Sequence, residues 1–71
     1  MTFSERILQL KAERKLLQKD IASAINITVR NYQRYEKNEA QPTLPVLIAL
    51  ADYFNVSLDY LVGRSDNSER R

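Results

Sequence analysis

The chain contains no cysteine and no histidine. Thiol nucleophiles, imidazole general bases and the usual zinc ligands are therefore missing, and no disulfide can staple the fold. Glycine occurs once, at Gly63, so there is no glycine-rich loop to cradle a nucleotide phosphate. The longest apolar run, Val46 to Ala51, is far too short to span a bilayer. The opening Met-Thr-Phe-Ser-Glu-Arg has no apolar stretch behind it of the kind a signal peptide needs. The acidic residues are scattered rather than paired. These absences argue against an enzyme, a metal site, a cofactor and a membrane role, and they favour a cytoplasmic protein.

What is present is short and charged. A chain of 71 residues makes one domain with a small core. The net charge of +2 is unevenly spread. Residues 11–37 carry seven basic and three acidic side chains, a local +4, whereas residues 38–71 carry three basic and five acidic, a local −2. Such asymmetry suits a surface that meets a polyanion, and it also suits an ordinary mixed surface.

The hydrophobic pattern predicts an all-α chain of five helices, with no strand pattern or repeat. Thr2-Phe-Ser-Glu5 is a capping box, and Phe3, Ile7 and Leu10 recur at helical spacing, which sets helix 1 at about 3–14. Helix 2 spans about 18–25, with Ile21, Ala22 and Ile25 inward. Thr28 caps helix 3, which ends near Lys37. Thr43 and Pro45 open helix 4 at about 44–54; Ser57 caps helix 5 at about 58–62, and Gly63 ends it. The domain is expected to cover residues 1–63, and the polar residues 64–71 to form a disordered tail. Asn26, Asn38 and Asn55 stand in the inter-helix breaks, where asparagine substitutes for glycine at positive φ.

Helix 3 carries the sharpest functional signal. Val29, Arg30, Gln33, Arg34 and Lys37 share one face, opposite the core anchors Tyr32 and Tyr35. Arginine can fork onto guanine, glutamine onto adenine, and valine can touch a thymine methyl. Gln18 opens helix 2, where free amide N–H groups make a natural seat for a phosphate. Standing alone, the helix 3 face also fits a plain solvated surface; behind a short capped turn it fits a helix that enters a DNA groove. Glu36 lies at the inner edge of helix 3 and needs a partner, for which Lys11 is the candidate. Helix 4 is apolar nearly all round. Leu44, Leu47, Ile48, Ala51 and Phe54 form one stripe. Val46, Leu50 and Tyr53 form a second, which packs on helix 5 or on another subunit, and Leu58, Leu61 and Val62 extend it.

These pieces, in this order, resemble the lambda-repressor-like helix-turn-helix family of the Cro and xenobiotic-response-element regulator type. The matching run is Leu16-x-Gln18-x-Asp20-Ile21-Ala22, Ile27-Thr28, Tyr32-x-x-Tyr35-Glu36, Pro42-Thr43-Leu44 and Val56-Ser57-Leu58-Asp59-Tyr60-Leu61, within residues 3–63. The resemblance implies a compact five-helix bundle that binds double-stranded operator DNA, often as a homodimer. By position it puts Val29, Arg30 and Arg34 at base-reading sites, with Gln33 beside them, and Gln18, Thr28 and Lys37 at phosphate contacts. Lys11 and Glu36 match a buried ion pair that usually has arginine on helix 1. Leu17 replaces the usual serine or threonine cap of helix 2, and Lys15, Asn26, Asn38 and Asn55 stand where glycine is common.

The expected function is therefore that of a homodimeric, DNA-binding transcriptional repressor acting by operator occupancy, without a small-molecule effector. Two rivals remain. One is an antitoxin that binds its own operator and a toxin protein; the other is a protein-interaction module that keeps the fold without reading DNA.

Overall fold

The computed structural model describes residues 1–69. Five helices follow in order: α1 (Phe3–Glu13), α2 (Gln18–Ala24), α3 (Val29–Glu36), α4 (Leu44–Phe54) and α5 (Leu58–Leu61). No strand forms among the described residues. Helices α2 and α3 pack as a pair, α1 lies against α3 and α5, and α4 lies against α5.

The helix starts follow from local chemistry. The Glu5 N–H donates to Thr2 Oγ1 at 3.2 Å and the Thr2 N–H donates to Glu5 Oε1 at 2.9 Å, which completes the capping box of α1. Thr28 and Ser57 accept from the N–H groups of Asn31 and Tyr60 and so cap α3 and α5. Thr43 precedes α4, but its side chain makes no capping bond. Leu17 has no side-chain acceptor; its own N–H donates to Asp20 Oδ2 at 3.2 Å, so half of the capping arrangement survives the substitution.

The helix ends obey one rule. After each helix a single residue adopts positive φ: Lys15 at 54°, Asn26 at 62°, Asn38 at 58°, Asn55 at 57° and Gly63 at 84°. Around each, two backbone N–H groups turn back onto the last carbonyls. At the end of α2, for example, Asn26 N–H donates to Ser23 O at 3.2 Å and Ile27 N–H to Ala22 O at 3.0 Å. This paired pattern satisfies carbonyls that a helix end otherwise leaves open. Asparagine tolerates the left-handed region where most residues are strained. Glycine alone fits at 63, because a Cβ there would sit 1.9 Å from the Met1 carbonyl oxygen.

The core gathers Ile7 and Leu10 from α1, Ile21 and Ala22 from α2, Tyr32 and Tyr35 from α3, Leu50, Ala51 and Phe54 from α4, then Val56 and Leu61. This corrects the subunit-interface assignment of Leu50 and Leu61. Both are 0 % exposed and belong to the core of the single chain. Val46 and Tyr53 are half-buried against that core, as is Val62 beside α5. The apolar side chains of α4 and α5 left open are Leu44, Ile48 and Leu58, at 63 %, 44 % and 40 % exposure. The first stripe is therefore split along the helix: Ala51 and Phe54 at its C-terminal end join Leu50 in the core, whereas Leu44 and Ile48 nearer its start turn outward.

Residues 64–69, expected as a disordered tail, are held against the domain. Arg6 is only 3 % exposed despite its charge. Its Nε donates to the Tyr60 carbonyl at 2.8 Å, Nη1 to Gln9 Oε1 at 3.0 Å and Nη2 to the Ser65 carbonyl at 3.2 Å. The guanidinium also stacks on the Tyr60 ring, 3.6 Å from its centroid. Ser57 N–H then reaches the Ser68 carbonyl at 3.2 Å. Residues 70–71 of the expected tail lie outside the described residues.

Candidate nucleic-acid interface

Four residues, 25–28, separate α2 from α3. The positive φ of Asn26 turns the chain, and Thr28 starts the new helix at once. The two helices can then pack across Ile21, Ala22 and Tyr32, which are all buried. With Tyr32 and Tyr35 fixed inward, helical geometry leaves the opposite face of α3 outward.

That face presents Val29, Arg30, Arg34 and Lys37, all exposed. Thr28 is exposed at its start, and Arg30, Arg34, Asn31, Ile27 and Thr28 border a shallow depression. Gln33 sits on the same side but is half-buried. Neither arginine engages an acidic side chain among the described residues, so both guanidinium forks are open to an external acceptor.

Behind the face lies a polar network that ties three helices together. Lys11 Nζ of α1 pairs with Glu36 Oε2 at 2.9 Å and reaches Oε1 at 3.1 Å. Gln18 Nε2 of α2 donates to Glu36 Oε1 at 2.8 Å. Gln33 Nε2 of α3 donates to Gln18 Oε1 at 2.9 Å. Burial alone raises the Glu36 pKa, but the hydrogen bonds from Lys11 and Gln18, together with the Lys11 charge, outweigh it and hold the carboxyl below its ordinary value. Burial, then Glu36, push the Tyr32 hydroxyl far above the usual tyrosine range. That hydroxyl is enclosed, so it faces Glu36 rather than the surface.

Gln18 is thus already engaged at both ends of its amide. Its Nε2 makes no second hydrogen bond among the described residues. The Gln18–Gln33 bond is invisible to helix periodicity, because it joins residues 15 apart on different helices. Asn31 was also not singled out by sequence. Its Nδ2 donates to Tyr35 Oη at 3.3 Å, and the i, i+4 spacing is the signal that marks the pair.

The helix-turn-helix family profile matches residues 7–61. Among curated proteins, the chain is 33 % identical over 67 residues to the uncharacterized HTH-type transcriptional regulator YobD of Bacillus subtilis (strain 168), covering 94 % of this chain and 60 % of that protein. It is 31 % identical over 71 residues to the cryptic phage CTXphi transcriptional repressor RstR of Vibrio cholerae serotype O1 (strain ATCC 39315 / El Tor Inaba N16961), covering 100 % of this chain and 63 % of that protein. The chain therefore spans about three fifths of the length of these relatives. Its fold is similar to that of the P22 c2 repressor protein, solved in complex with a synthetic operator, with a TM-score of 0.84 at 23 % identity over 92 % of this chain and 98 % of that one. With the matched region running from α1 through α5 and the capped turn between α2 and α3 inside it, the chain belongs to the helix-turn-helix family.

Proposed function

We propose that the chain is a sequence-specific DNA-binding transcriptional regulator, that it represses by occupying its operator, and that it works in the cytoplasm as a binding protein rather than an enzyme. The observation that carries this reading is the outward face of α3. Val29, Arg30, Arg34 and Lys37 stand clear of the body, while Tyr32, Tyr35 and the Glu36 network hold the helix rigid from behind. A helix fits the major groove, and arginine forks match guanine there. Thr28, Gln18 and Lys37 flank the face and supply phosphate contacts, which set register without reading sequence. The similarity to a phage repressor supports the repressive sense.

Two copies reading a palindrome would set their α3 helices roughly 34 Å apart. The open Leu44, Ile48 and Leu58 side chains on α4 and α5 supply the apolar surface for that pairing.

The test is selection of bound sites from random duplex DNA by the wild type and by the double variant Arg30→Ala/Arg34→Ala. The wild type should enrich a defined site, with affinity that falls steeply with salt. The variant should lose base preference at the positions its arginines read, each worth about 1–3 kcal/mol of discrimination. A wild type that enriches nothing and binds without salt dependence refutes the reading.

A further inference from the structure

A recessed surface of opposite charge lies on α4, α5 and the segment after them, with no residue of α1, α2 or α3 in its lining. It is a groove of about 370 Å³, at the low end of ligand clefts. Val56 is buried at its floor, and the exposed side chains of Ile48 and Leu58 border it. Ser65 and Asn67 form one wall. That wall is fixed to the domain: the Ser65 carbonyl accepts from Arg6 Nη2 at 3.2 Å, and the Asn67 carbonyl from Ser57 Oγ at 3.4 Å. The charged residues of the lining are Asp52, Asp59 and Glu69, all exposed, and no lysine or arginine lines the groove among the described residues. The carboxylates of Asp59 and Glu69 meet no cation among the described residues.

We infer that this groove is a docking site for a partner protein, which lays into it a short segment carrying lysine or arginine beside leucine, isoleucine or phenylalanine. Charge selects the occupant. Like charge turns nucleic acid and anionic lipid away from this surface. A long basic side chain matches both halves of the lining: its methylene stem lies on Ile48 and Leu58 while its head reaches Asp59 or Glu69. A second copy of this chain does not match, because two-fold pairing sets one patch against itself, carboxylates included. Ile48 and Leu58 also belong to the apolar surface assigned to pairing above. A docked segment therefore displaces the second copy and weakens operator binding by separating the two reading helices. That last consequence rests on the proposed DNA-binding function; the docking site does not.

The test uses the full chain and a displayed library of random short peptides. Selection should enrich peptides that combine basic and apolar residues. One such peptide, synthesised with a fluorescent label, is then titrated by anisotropy, and its affinity should fall as salt rises. Asp59→Lys should weaken it by about fivefold or more. Glu39→Lys makes the same change in net charge on the connection between α3 and α4, outside the groove, and should leave the affinity nearly unchanged. Leu58→Ser should weaken binding through the apolar half. Each variant is checked by thermal melting, and Glu69→Lys repeats the comparison should Asp59→Lys lower the melt. Enriched peptides without basic residues, or equal losses in Asp59→Lys and Glu39→Lys, overturn the docking site and leave the DNA reading standing. Saturating peptide should also shift the wild type from dimer to monomer in sedimentation. A peptide that binds the groove and leaves the dimer intact overturns the competition with pairing. A wild type that is monomeric without peptide refutes the pairing, and the Asp59 comparison still decides the groove.

Discussion

Glu36 Oε1 accepts a hydrogen bond from Gln18 Nε2 at 2.8 Å, so the last residue of α3 is tied to the first residue of α2. Lys11 pairs with the other carboxylate oxygen from α1. One side chain thereby fixes the angle between three helices, and the outward face of α3 inherits that rigidity. A groove-reading helix gains from such support, because base contacts depend on sub-ångström placement.

Acid should weaken the domain through Glu36. Its folded pKa lies below the ordinary carboxyl value of 4.5, so folding favours the charged form. The stability this contributes is complete above the unfolded pKa and is lost as pH falls through the lower folded one. Urea melts from pH 7 downward should show the loss beginning near 4.5. Glu36→Gln should lower stability at neutral pH by about 1–3 kcal/mol and flatten the acid limb. An acid limb as steep as that of the wild type would show that other carboxyl groups carry it.

Arg6 and Asp66 form an ion pair by distance, 3.7 Å, yet the two residues should behave oppositely on substitution. Asp66 is fully exposed, and such pairs contribute little. Asp66→Ala should change stability by no more than about 0.5 kcal/mol. Arg6 is buried and holds the Tyr60 and Ser65 carbonyls. Arg6→Ala leaves both without their donor and should cost about 2–4 kcal/mol in a thermal or urea melt. Arg6→Lys should recover only part of this, because an ammonium cannot fork or stack as guanidinium does.

Much of this architecture is legible in the chain, for local reasons. The capping residues Thr2, Thr28 and Ser57 act within three residues of their targets, so sequence spacing reveals them. Asn26, Asn38 and Asn55 announce the turns because few other residues tolerate their φ. The Lys11–Glu36 geometry is approached through the need of a half-buried carboxylate for a cation. Helix periodicity cannot rank the two stripes of α4, since both are apolar; only packing against α5 shows that Leu50 turns inward and Ile48 outward. Nor does composition reveal that Arg6 binds carbonyls from residues 54 and 59 positions away.

Lys15 carries avoidable strain. It adopts φ 54° at the end of α1, a region that costs an ordinary side chain about 1–2 kcal/mol. Lys15→Gly removes that cost, although glycine's freer unfolded state returns some of it. The net gain should be about 0.5–1 kcal/mol, seen as a melting temperature higher by about 2–6 °C. Asn26→Gly should gain less, because asparagine already suits the left-handed region. A lower melting temperature for Lys15→Gly would show that the lysine makes compensating contacts.

Ile48 and Leu50 lie two residues apart on α4, and their substitution separates association from folding. Leu50 is enclosed in the core. Leu50→Asp buries an unpaired charge and should abolish the cooperative melt. Ile48 is 44 % exposed, with Leu44 and Leu58 open nearby. Ile48→Asp should therefore leave helix content and melting nearly unchanged. If two copies pair across this face, a charge at position 48 is desolvated in the dimer and unopposed there, so association should weaken by at least about tenfold. Sedimentation at matched concentrations reads this directly: the wild type should run as a dimer and Ile48→Asp as a monomer. A folded Ile48→Asp that keeps the dimer mass would move the subunit contact away from Leu44, Ile48 and Leu58.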